Sequence, residues 1–252
     1  MLSERLFAIA GFVEKGACVA DVGTDHGYLP VYLAQNGLAS HIIASDISAG
    51  SLRSALITAE KYGVADKISF VVAPGLSGIG DSDVDTIVLS GLGGETICHI
   101  LADAGKIFYG GARIILQPQT KTGLLCSWLL DNGYALQDAK LARDKGRIYV
   151  VMLAGKGATR LRGKRKEERG KLGSGTPERE FLSSILNSSE PDRELLNLLA
   201  GNGDPLFPDY IAGLISQARR AADGMARSGA FEYPLMARRL EYLSMFQKPG
   251  GY

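Results

Sequence analysis

Short apolar runs alternate with amphipathic, helix-like patterns through the first part of the chain. The apolar runs are rich in valine and isoleucine, which is typical of strands buried on both faces of a parallel sheet. They predict five strands, at residues 18–21, 41–47, 68–72, 85–90 and 113–117. The helical patterns predict helices at residues 3–14, 28–36, 49–62, 95–104 and 122–131. Pro118 has no N–H to donate and is expected to end the fifth strand.

Two further strands, at residues 134–143 and 147–153, are joined through Asp144-Lys-Gly146 and predict an antiparallel hairpin. Five βα units closed by such a hairpin predict an α/β fold with a doubly wound, Rossmann-like sheet. Ligands of these sheets bind beyond the carboxyl ends of the strands. The loops that matter for function are therefore expected at residues 21–28, 46–48, 73–76, 90–95 and 117–121.

The pattern changes after Leu153, where regular periodicity gives way to glycine, lysine and arginine. We therefore divide the chain into a Rossmann-like domain at 1–154, a basic, Gly-rich linker or loop at 155–176 and a small helical domain at 177–252. Helices are expected in the last part at residues 177–186, 192–199, 210–227 and 234–246. The last two predict a helical hairpin, whose apolar stripe is interpreted as packing within the hairpin rather than as a groove for a partner.

Composition narrows the class of protein. Hydrophobic residues make up 46% of the 252 residues, which is enough for a full core. No apolar stretch reaches the roughly 18 residues of a membrane span, and the first residues lack the layout of a signal peptide. The three cysteines show no zinc spacing. These features predict a cytoplasmic protein with no metal and no membrane contact, and they leave the oligomeric state open, with a monomer favoured.

Charge is unevenly distributed between the two parts of the chain. Residues 1–154 carry 12 basic and 15 acidic side chains, whereas residues 155–252 carry 16 basic and 12 acidic ones. Within the second part, residues 156–171 form a basic strip with eight basic side chains and two acidic ones. Such a strip is either a solvated loop or a phosphate-binding surface, and both interpretations are equally consistent with the sequence.

The stretch Asp21-Val-Gly-Thr-Asp-His-Gly27 follows the first strand and carries the strongest chemical signal. Gly23 and Gly27 allow the backbone to turn sharply and to approach a ligand. A loop that binds a dinucleotide pyrophosphate uses the dipole of a helix N-terminus, but here Asp21 and Asp25 bring two carboxylates that would repel the pyrophosphate. These carboxylates suit a ligand with a cationic amino-acid end, such as S-adenosylmethionine, which has an ammonium and a sulfonium.

A second acid, Asp46, ends the second strand 25 residues after Asp21. A carboxylate in this place accepts hydrogen bonds from ribose hydroxyls in nucleotide-binding sheets. Asp21, Gly23 and Asp46 together indicate a methyltransferase. An NAD-dependent oxidoreductase is disfavoured by Asp25 and by the absence of a residue set for hydride transfer.

Several motifs, in order along the chain, resemble those of one known family. They are Asp21-Val-Gly-Thr-Asp-His-Gly-Tyr-Leu-Pro30, Ser90-Gly-Leu-Gly-Gly94 and Leu116-Gln-Pro118, followed by Trp128-Leu129 and the closing hairpin. Over residues 1–154 the chain resembles the bacterial tRNA (adenine-22-N1)-methyltransferases, which are class I S-adenosylmethionine-dependent methyltransferases. The resemblance is weaker over the helical tail. It implies a class I methyltransferase sheet with a helical C-terminal domain, S-adenosylmethionine as cofactor, and tRNA as an RNA partner that is methylated at N1 of an adenine.

The residue patterns and the resemblance together assign roles to individual residues. The catalytic site is expected to use Asp25, whose carboxylate can accept a hydrogen bond from the adenine amino group, and the backbone of Gly91 and Gly93. The cofactor is expected to contact Asp21, Gly23, His26, Asp46, Ile47, Gly75 and Ser90. The RNA is expected to contact Tyr28, Gly94, Gln119, Arg162, Lys164, Arg165 and Lys166. Methyl transfer to N1 requires no base, so His26 is interpreted as a cofactor contact.

The chain departs from the family pattern in two loops. Ala73-Pro-Gly-Leu76 stands where Gly-Asp-Gly-Leu is expected, so a carboxylate that would bind the adenine of the cofactor is missing. Gln119 stands where an asparagine is expected. Two other functions are therefore kept open. One is a methyltransferase for a small molecule or a protein, which would need no basic tail, and the other is a non-catalytic binding protein with a decayed cofactor site, to which Pro74 points.

Overall fold

The computed structural model describes residues 2–80, 84–104, 111–156, 191–228 and 233–247. The predicted helix at 177–186 and all but the first residue of the basic strip lie outside these ranges. The same holds for four residues expected to contact RNA: Arg162, Lys164, Arg165 and Lys166. The division of the chain at residues 154 and 176 stays a prediction.

The described residues contain seven strands and eight α-helices. The strands are β1 (Ala17–Val22), β2 (Ala39–Asp46), β3 (Ile68–Val72), β4 (Thr86–Gly93), β5 (Arg113–Thr120), β6 (Tyr134–Asp144) and β7 (Arg147–Lys156). The helices are α1 (Glu4–Ala10), α2 (Tyr28–Gln35), α3 (Ala49–Lys61), α4 (Gly94–Asp103), α5 (Thr122–Asp131), α6 (Arg193–Gly201), α7 (Phe207–Ser228) and α8 (Tyr233–Met245). A short 3-10 turn, Ala65–Lys67, precedes β3.

The strands form one sheet in the order β3-β2-β1-β4-β5-β7-β6. Strands β1 to β5 are parallel, and β7 runs antiparallel to both β5 and β6. The predicted Rossmann-like α/β fold closed by a hairpin is therefore confirmed. The strand order reverses between β1 and β4, which places the ligand crevice of this fold at the carboxyl ends of these two strands.

The alternation of side chains along each strand divides the core into two layers. In β4, Ile87 and Leu89 pack in one layer and Val88 packs in the other. Helices α1, α2 and α3 cover the layer of Val88, whereas α4 and α5 cover the opposite layer. Both faces of the parallel strands are thus buried, as their continuous apolar sequences predicted.

The C-terminal helices pack on the sheet as well as on each other. Leu195, Leu196 and Leu199 of α6 are fully buried and belong to the same hydrophobic cluster as the β6–β7 hairpin. The carboxylate of Asp204, which follows α6, also accepts a hydrogen bond of 2.8 Å from the backbone N–H of Leu141 in β6. Helices α7 and α8 contact each other along their length. The apolar stripe of α7 is therefore used for packing within the protein.

Two predicted boundaries at the end of the central strands are wrong. Strand β5 does not end before Pro118 but continues to Thr120, and β4 continues to Gly93 instead of stopping at Ser90. The pairing of β4 with β5 is irregular here, with register shifts on either side of Leu92, which pairs with Pro118. An irregular register of this kind accommodates a residue that has no N–H to donate.

The first helix is also shorter than predicted, because it ends at Ala10 with Gly11 as its C-cap. The Ser48 hydroxyl accepts a hydrogen bond from the Ser51 N–H and caps α3. Helix α7 begins three residues earlier than predicted, at Phe207.

Among the described residues, no helix combines the length and apolar character needed to cross a membrane.

Candidate functional site

The loop between β1 and α2 is fixed by β2 and by α3. The backbone N–H groups of Gly23 and Thr24 both donate to the carbonyl of Ser45, at 2.8 and 3.1 Å. Gly27 has a φ of +68°, and a Cβ there would lie 2.8 Å from the Cβ of Ala55 in α3. A side chain at position 27 would therefore separate the two helices, which explains why the loop ends in glycine.

Asp21 is a buried carboxylate at the carboxyl end of β1, with 5% of its surface exposed. Burial raises the pKa of Asp21 from 3.8 to about 6. The hydrogen bond from the Thr24 side chain opposes this rise, and the negative charge of Asp46 adds to it. A carboxylate that is costly to ionise in this place is well suited to a cationic ligand, which would stabilise its charged form.

Asp46 lies at the carboxyl end of β2, beside Asp21. Its carboxylate is held by a 2.7 Å hydrogen bond from the backbone N–H of Ser48. Ile47, which follows Asp46, is 74% exposed, and Val72, which pairs with Asp46 at the end of β3, is 60% exposed. The structure thus places one acid and two exposed apolar side chains together. Val72 was not identified from the sequence, because an apolar residue at the end of a strand gives no chemical signal.

Gly75 lies in the turn after β3. A Cβ at Gly75 would lie 3.3 Å from the side chain of Ile100 in α4. The N–H of Ala73 in the same turn donates to the carbonyl of Asp46 at 3.1 Å, so the turn is tied to the end of β2.

The end of β4 and the start of α4 pack closely against the end of β5. A Cβ at Gly94 would lie 2.6 Å from the carbonyl oxygen of Lys121 and 2.8 Å from that of Thr120. These contacts involve backbone atoms, so the neighbours cannot rotate away. Gly93 is the N-cap of α4 and lies beside the Thr120 hydroxyl.

Gln117 connects three parts of the site through one buried oxygen. Its side-chain oxygen accepts hydrogen bonds from the Arg5 guanidinium at 2.6 Å, from the Gly91 N–H at 3.1 Å and from the Gln119 amide at 3.5 Å. Its amide nitrogen donates to the Pro118 carbonyl at 2.9 Å. Gln117 therefore holds α1, the end of β4 and the end of β5 together.

Arg5 was not identified as a site residue from the sequence. Its guanidinium also lies 3.9 Å from the carboxylate of Asp144 in the turn between β6 and β7. The contact between Arg5 and Gln117 joins residues that are 112 positions apart, so no local pattern could reveal it.

These elements enclose a cavity of about 810 Å³ at the switch point of the sheet, which we call the switch-point cavity. It brings together eight residues that were expected in the site: Asp21, Gly23, Asp25, His26, Tyr28, Ser90, Gly91 and Gln119. Arg5, Asp144 and Lys145 line it as well. Five expected residues lie outside its lining: Asp46, Ile47, Gly75, Gly93 and Gly94.

Asp25, His26 and Tyr28 form the exposed rim of the switch-point cavity. A His26 ring nitrogen lies 3.3 Å from the Asp25 carboxylate, and the rings of His26 and Tyr28 are 5.5 Å apart. The Asp25 side chain is exposed, in contrast to the buried Asp21. The loop therefore directs one carboxylate inward and one toward solvent. Among the described residues, no cluster of three or more metal-ligating side chains is present.

The fold is Rossmann-like, and the cavity lies at the carboxyl ends of β1 and β4, where proteins of this fold bind their ligands. Residues 2–152 match the methyltransferase domain family, and the chain belongs to this family.

Relatives of known name give a closer comparison. A tRNA (adenine(22)-N(1))-methyltransferase of Bacillus subtilis is 38% identical over 153 residues, which cover 61% of this chain and 64% of that relative. The match thus spans slightly less than two thirds of the length of the curated relative. The crystal structure of the B. subtilis m1A22 tRNA methyltransferase TrmK is 27% identical, with a TM-score of 0.76 over 97% of each chain.

The structure of M. capricolum TrmK in complex with S-adenosyl-homocysteine has the same fold, with 22% identity, a TM-score of 0.71 and coverage of 97% of this chain and 98% of that one. The resemblance inferred from the sequence motifs is confirmed by these comparisons. The likeness to solved structures extends over the C-terminal helices, where the sequence motifs are weak.

Proposed function

We propose that the protein transfers a methyl group from S-adenosylmethionine to N1 of an adenine in tRNA, and that this adenine is at position 22. The observation that carries the proposal is the switch-point cavity, in which a buried carboxylate and the end of β4 meet at the point where this fold binds ligands. The B. subtilis relative, which is named for this activity, supports the choice of substrate.

The described residues fit the cofactor in charge and shape. The ammonium of S-adenosylmethionine would add a second positive charge near the buried Asp21, beside that of Arg5, and so would stabilise its ionised form. Asp46 is placed to accept hydrogen bonds from ribose hydroxyls. Ile47 and Val72 offer apolar faces to an adenine ring, which compensates for the carboxylate that Pro74 displaces from the turn after β3. We infer that the cofactor adenine is held by apolar contact rather than by an acid.

The chain contributes to the reaction mainly by positioning. When bound, S-adenosylmethionine supplies an activated methyl group, which the N1 lone pair attacks as the sulfonium becomes a thioether. The backbone of Gly91 and Gly93 would hold the Watson–Crick edge of the target adenine. Asp25 would accept a hydrogen bond from its amino group while positive charge develops on the ring. No group has to remove a proton before transfer.

The direct test uses labelled S-adenosylmethionine and unmodified tRNA transcripts with either adenine or guanine at position 22, followed by nucleoside analysis. Labelled 1-methyladenosine is expected from the adenine transcript and none from the guanine transcript. Label in a different nucleoside, or equal label in both transcripts, would contradict the assignment of the target base. Absence of transfer to any tRNA would overturn the proposal.

Changing Asp25 to Asn is expected to lower kcat on tRNA about 10- to 100-fold and to leave the affinity for S-adenosylmethionine within about threefold. The reason is that the exposed carboxylate interacts with the base mainly as charge develops. Steady-state kinetics and calorimetry measure the two quantities separately. Asp66→Asn, at an exposed position of the 3-10 turn that does not line the cavity, is the matched control. Equal losses in kcat and in cofactor affinity would instead make Asp25 a cofactor contact.

Changing Asp46 to Ala is expected to weaken S-adenosylmethionine binding by about 1.5–3 kcal/mol, the range for a hydrogen bond to a charged group. Calorimetry of cofactor binding is the measurement. Asp46→Asn keeps an acceptor for the Ser48 N–H and should lose less, which separates the ribose contact from the local turn. Unchanged affinity in the alanine variant would remove Asp46 from the cofactor site.

A further inference from the structure

A second cavity, of about 680 Å³, lies between the sheet and the C-terminal helices. We call it the helix cleft. Its walls come from the end of β5, the start of β7, and helices α7 and α8. The residues that matter for its chemistry are Gln119, Lys121, Arg147, Tyr149, Gln217 and Arg238. None of the catalytic or cofactor roles assigned above uses this space.

The helix cleft adjoins the switch-point cavity. Gln119 lines both cavities. The Arg5 guanidinium lies 5.7 Å from the ring centre of Tyr149. Arg5 lines the switch-point cavity, and Tyr149 lines the helix cleft. The two cavities are therefore adjacent. A bound polymer with one monomer in the switch-point cavity can place the next monomer in the helix cleft.

The lining of the helix cleft is cationic. Arg147 and Arg238 are exposed, and no described residue forms an ion pair with either. Lys121 pairs with Glu95, and Arg239 pairs at 2.5 Å with Asp192, the one carboxylate in the described lining. The cleft thus presents two guanidinium groups that pair with no carboxylate in the described part of the chain, and guanidinium is well suited to bind phosphate.

The inner wall of the cleft has unsatisfied polar atoms next to apolar surface. One oxygen of the buried Asp192 and one nitrogen of Arg239 find no hydrogen-bond partner among the described residues. Both atoms are inaccessible to solvent, so they belong to the buried backing of the Arg239–Asp192 pair and do not contact a ligand in the cleft directly. Tyr149, Leu214 and Met236 supply aromatic and apolar surface beside them. A cationic rim and an aromatic, apolar wall together match the phosphate and the base of a nucleotide.

We propose that the helix cleft binds a nucleotide adjacent to the target adenine of the RNA, with Arg147 and Arg238 on its phosphate and the Tyr149 wall on its base. This inference rests on the proposed function. An adenine in a folded RNA has to leave its stack to reach the switch-point cavity, which costs a few kcal/mol. Holding the neighbouring nucleotide outside the stack offsets part of this cost and keeps the target base in place.

The first test removes the two unpaired charges. Arg147→Gln/Arg238→Gln is expected to weaken tRNA binding at least about tenfold at low salt and to reduce the salt dependence of the binding constant by a slope of about 1.5. The affinity for S-adenosylmethionine should not change. The control is Arg219→Gln/Arg220→Gln, which removes the same charge from exposed positions of α7 that line neither cavity. Anisotropy titrations of labelled tRNA at several salt concentrations measure both effects.

The second test fills the cleft without changing charge. Gln217→Trp is expected to raise KM for tRNA about tenfold, because a bulky ring occupies the space for the nucleotide. The matched control is Ser216→Trp. Ser216 is the residue before Gln217 in α7, and it does not line the cleft. Circular dichroism and cofactor binding verify that each variant is folded. If Gln217→Trp does not fold, the double arginine variant alone decides whether the cleft binds a nucleotide.

The outcomes separate the inference from the proposed function. If the wild-type protein methylates tRNA and the cleft variants behave like their controls, the helix cleft holds no nucleotide and the inference is overturned. If the wild-type protein transfers no methyl group to tRNA, the proposed function fails and the inference fails with it. If only the cleft variants lose tRNA affinity, both stand.

Discussion

Replacing Asp21 with Asn is expected to stabilise the ligand-free protein and to remove most of its affinity for S-adenosylmethionine. Burial raises the pKa of Asp21 to about 6, so the ionised carboxylate is disfavoured in the fold. The folded state therefore binds more protons than the unfolded state between pH 4 and 6, and the wild-type protein loses stability as pH rises through this window. Asn carries no charge, so the variant does not lose this free energy of unfolding, which amounts to about 3 kcal/mol at most.

Urea unfolding at pH 5 and pH 8 measures the effect. The variant should gain about 3 kcal/mol relative to the wild-type protein at pH 8 and about half of that at pH 5, which lies inside this window. Asp66→Asn, a change to an exposed acid, is the control and should leave the pH dependence as it is. An Asp21→Asn variant with the wild-type pH dependence would show that Asp21 is not the group that titrates.

The same variant should bind S-adenosylmethionine more weakly by about 1.5–3 kcal/mol, since the cofactor ammonium loses a charged acceptor. The wild-type affinity should also fall as pH drops below about 6, where Asp21 takes up a proton. The two results together would indicate a residue kept for binding at the expense of stability. Equal cofactor affinity in variant and wild type at pH 8 would exclude Asp21 from the cofactor site.

The strands and the main glycine loop could be predicted from the sequence because their signals are local. Runs such as Ile87-Val-Leu89 are apolar on both faces, and Gly27 stands where a turn needs a positive φ. The position of the switch-point cavity followed from the order of the elements. The ends of β4 and β5 were mispredicted because the irregular pairing of Leu92 with Pro118 depends on both strands at once.

The remaining features depend on contacts between distant residues. The packing of α6 on β6 uses leucines that fit equally well into a separate helical domain. The helix cleft is formed by β7 and two helices that follow it by more than fifty residues. Arg147 and Arg238 look like ordinary surface charges in the sequence, and only the fold brings them to one cavity. Side-chain chemistry near the motifs was therefore predictable, whereas the residues that support the motifs were not.

Changing Gln117 to Leu is expected to lower kcat on tRNA about 100-fold, the loss typical of a small displacement of positioning groups. The variant keeps most of the side-chain volume but removes the oxygen that accepts from Arg5 and from the Gly91 N–H. The end of β4 then loses its anchor, and its backbone no longer holds the target base in line with the methyl group. The affinity for S-adenosylmethionine should change by no more than about threefold, because Asp21 and Asp46 remain in place.

A double-mutant cycle with Arg5→Ala separates this positioning role from a general loss of stability. If Arg5 acts through Gln117, the double variant should lose little more kcat than Gln117→Leu alone, because the interaction is already broken. Gln117→Glu keeps an oxygen for both donors and should recover part of the activity, although its second oxygen faces the Pro118 carbonyl. Additive losses in the cycle would mean that Arg5 and Gln117 act independently. A Gln117→Leu variant with normal kcat would show that the end of β4 is held by the close packing of Gly93 and Gly94 on Thr120 and Lys121 rather than by the Gln117 oxygen.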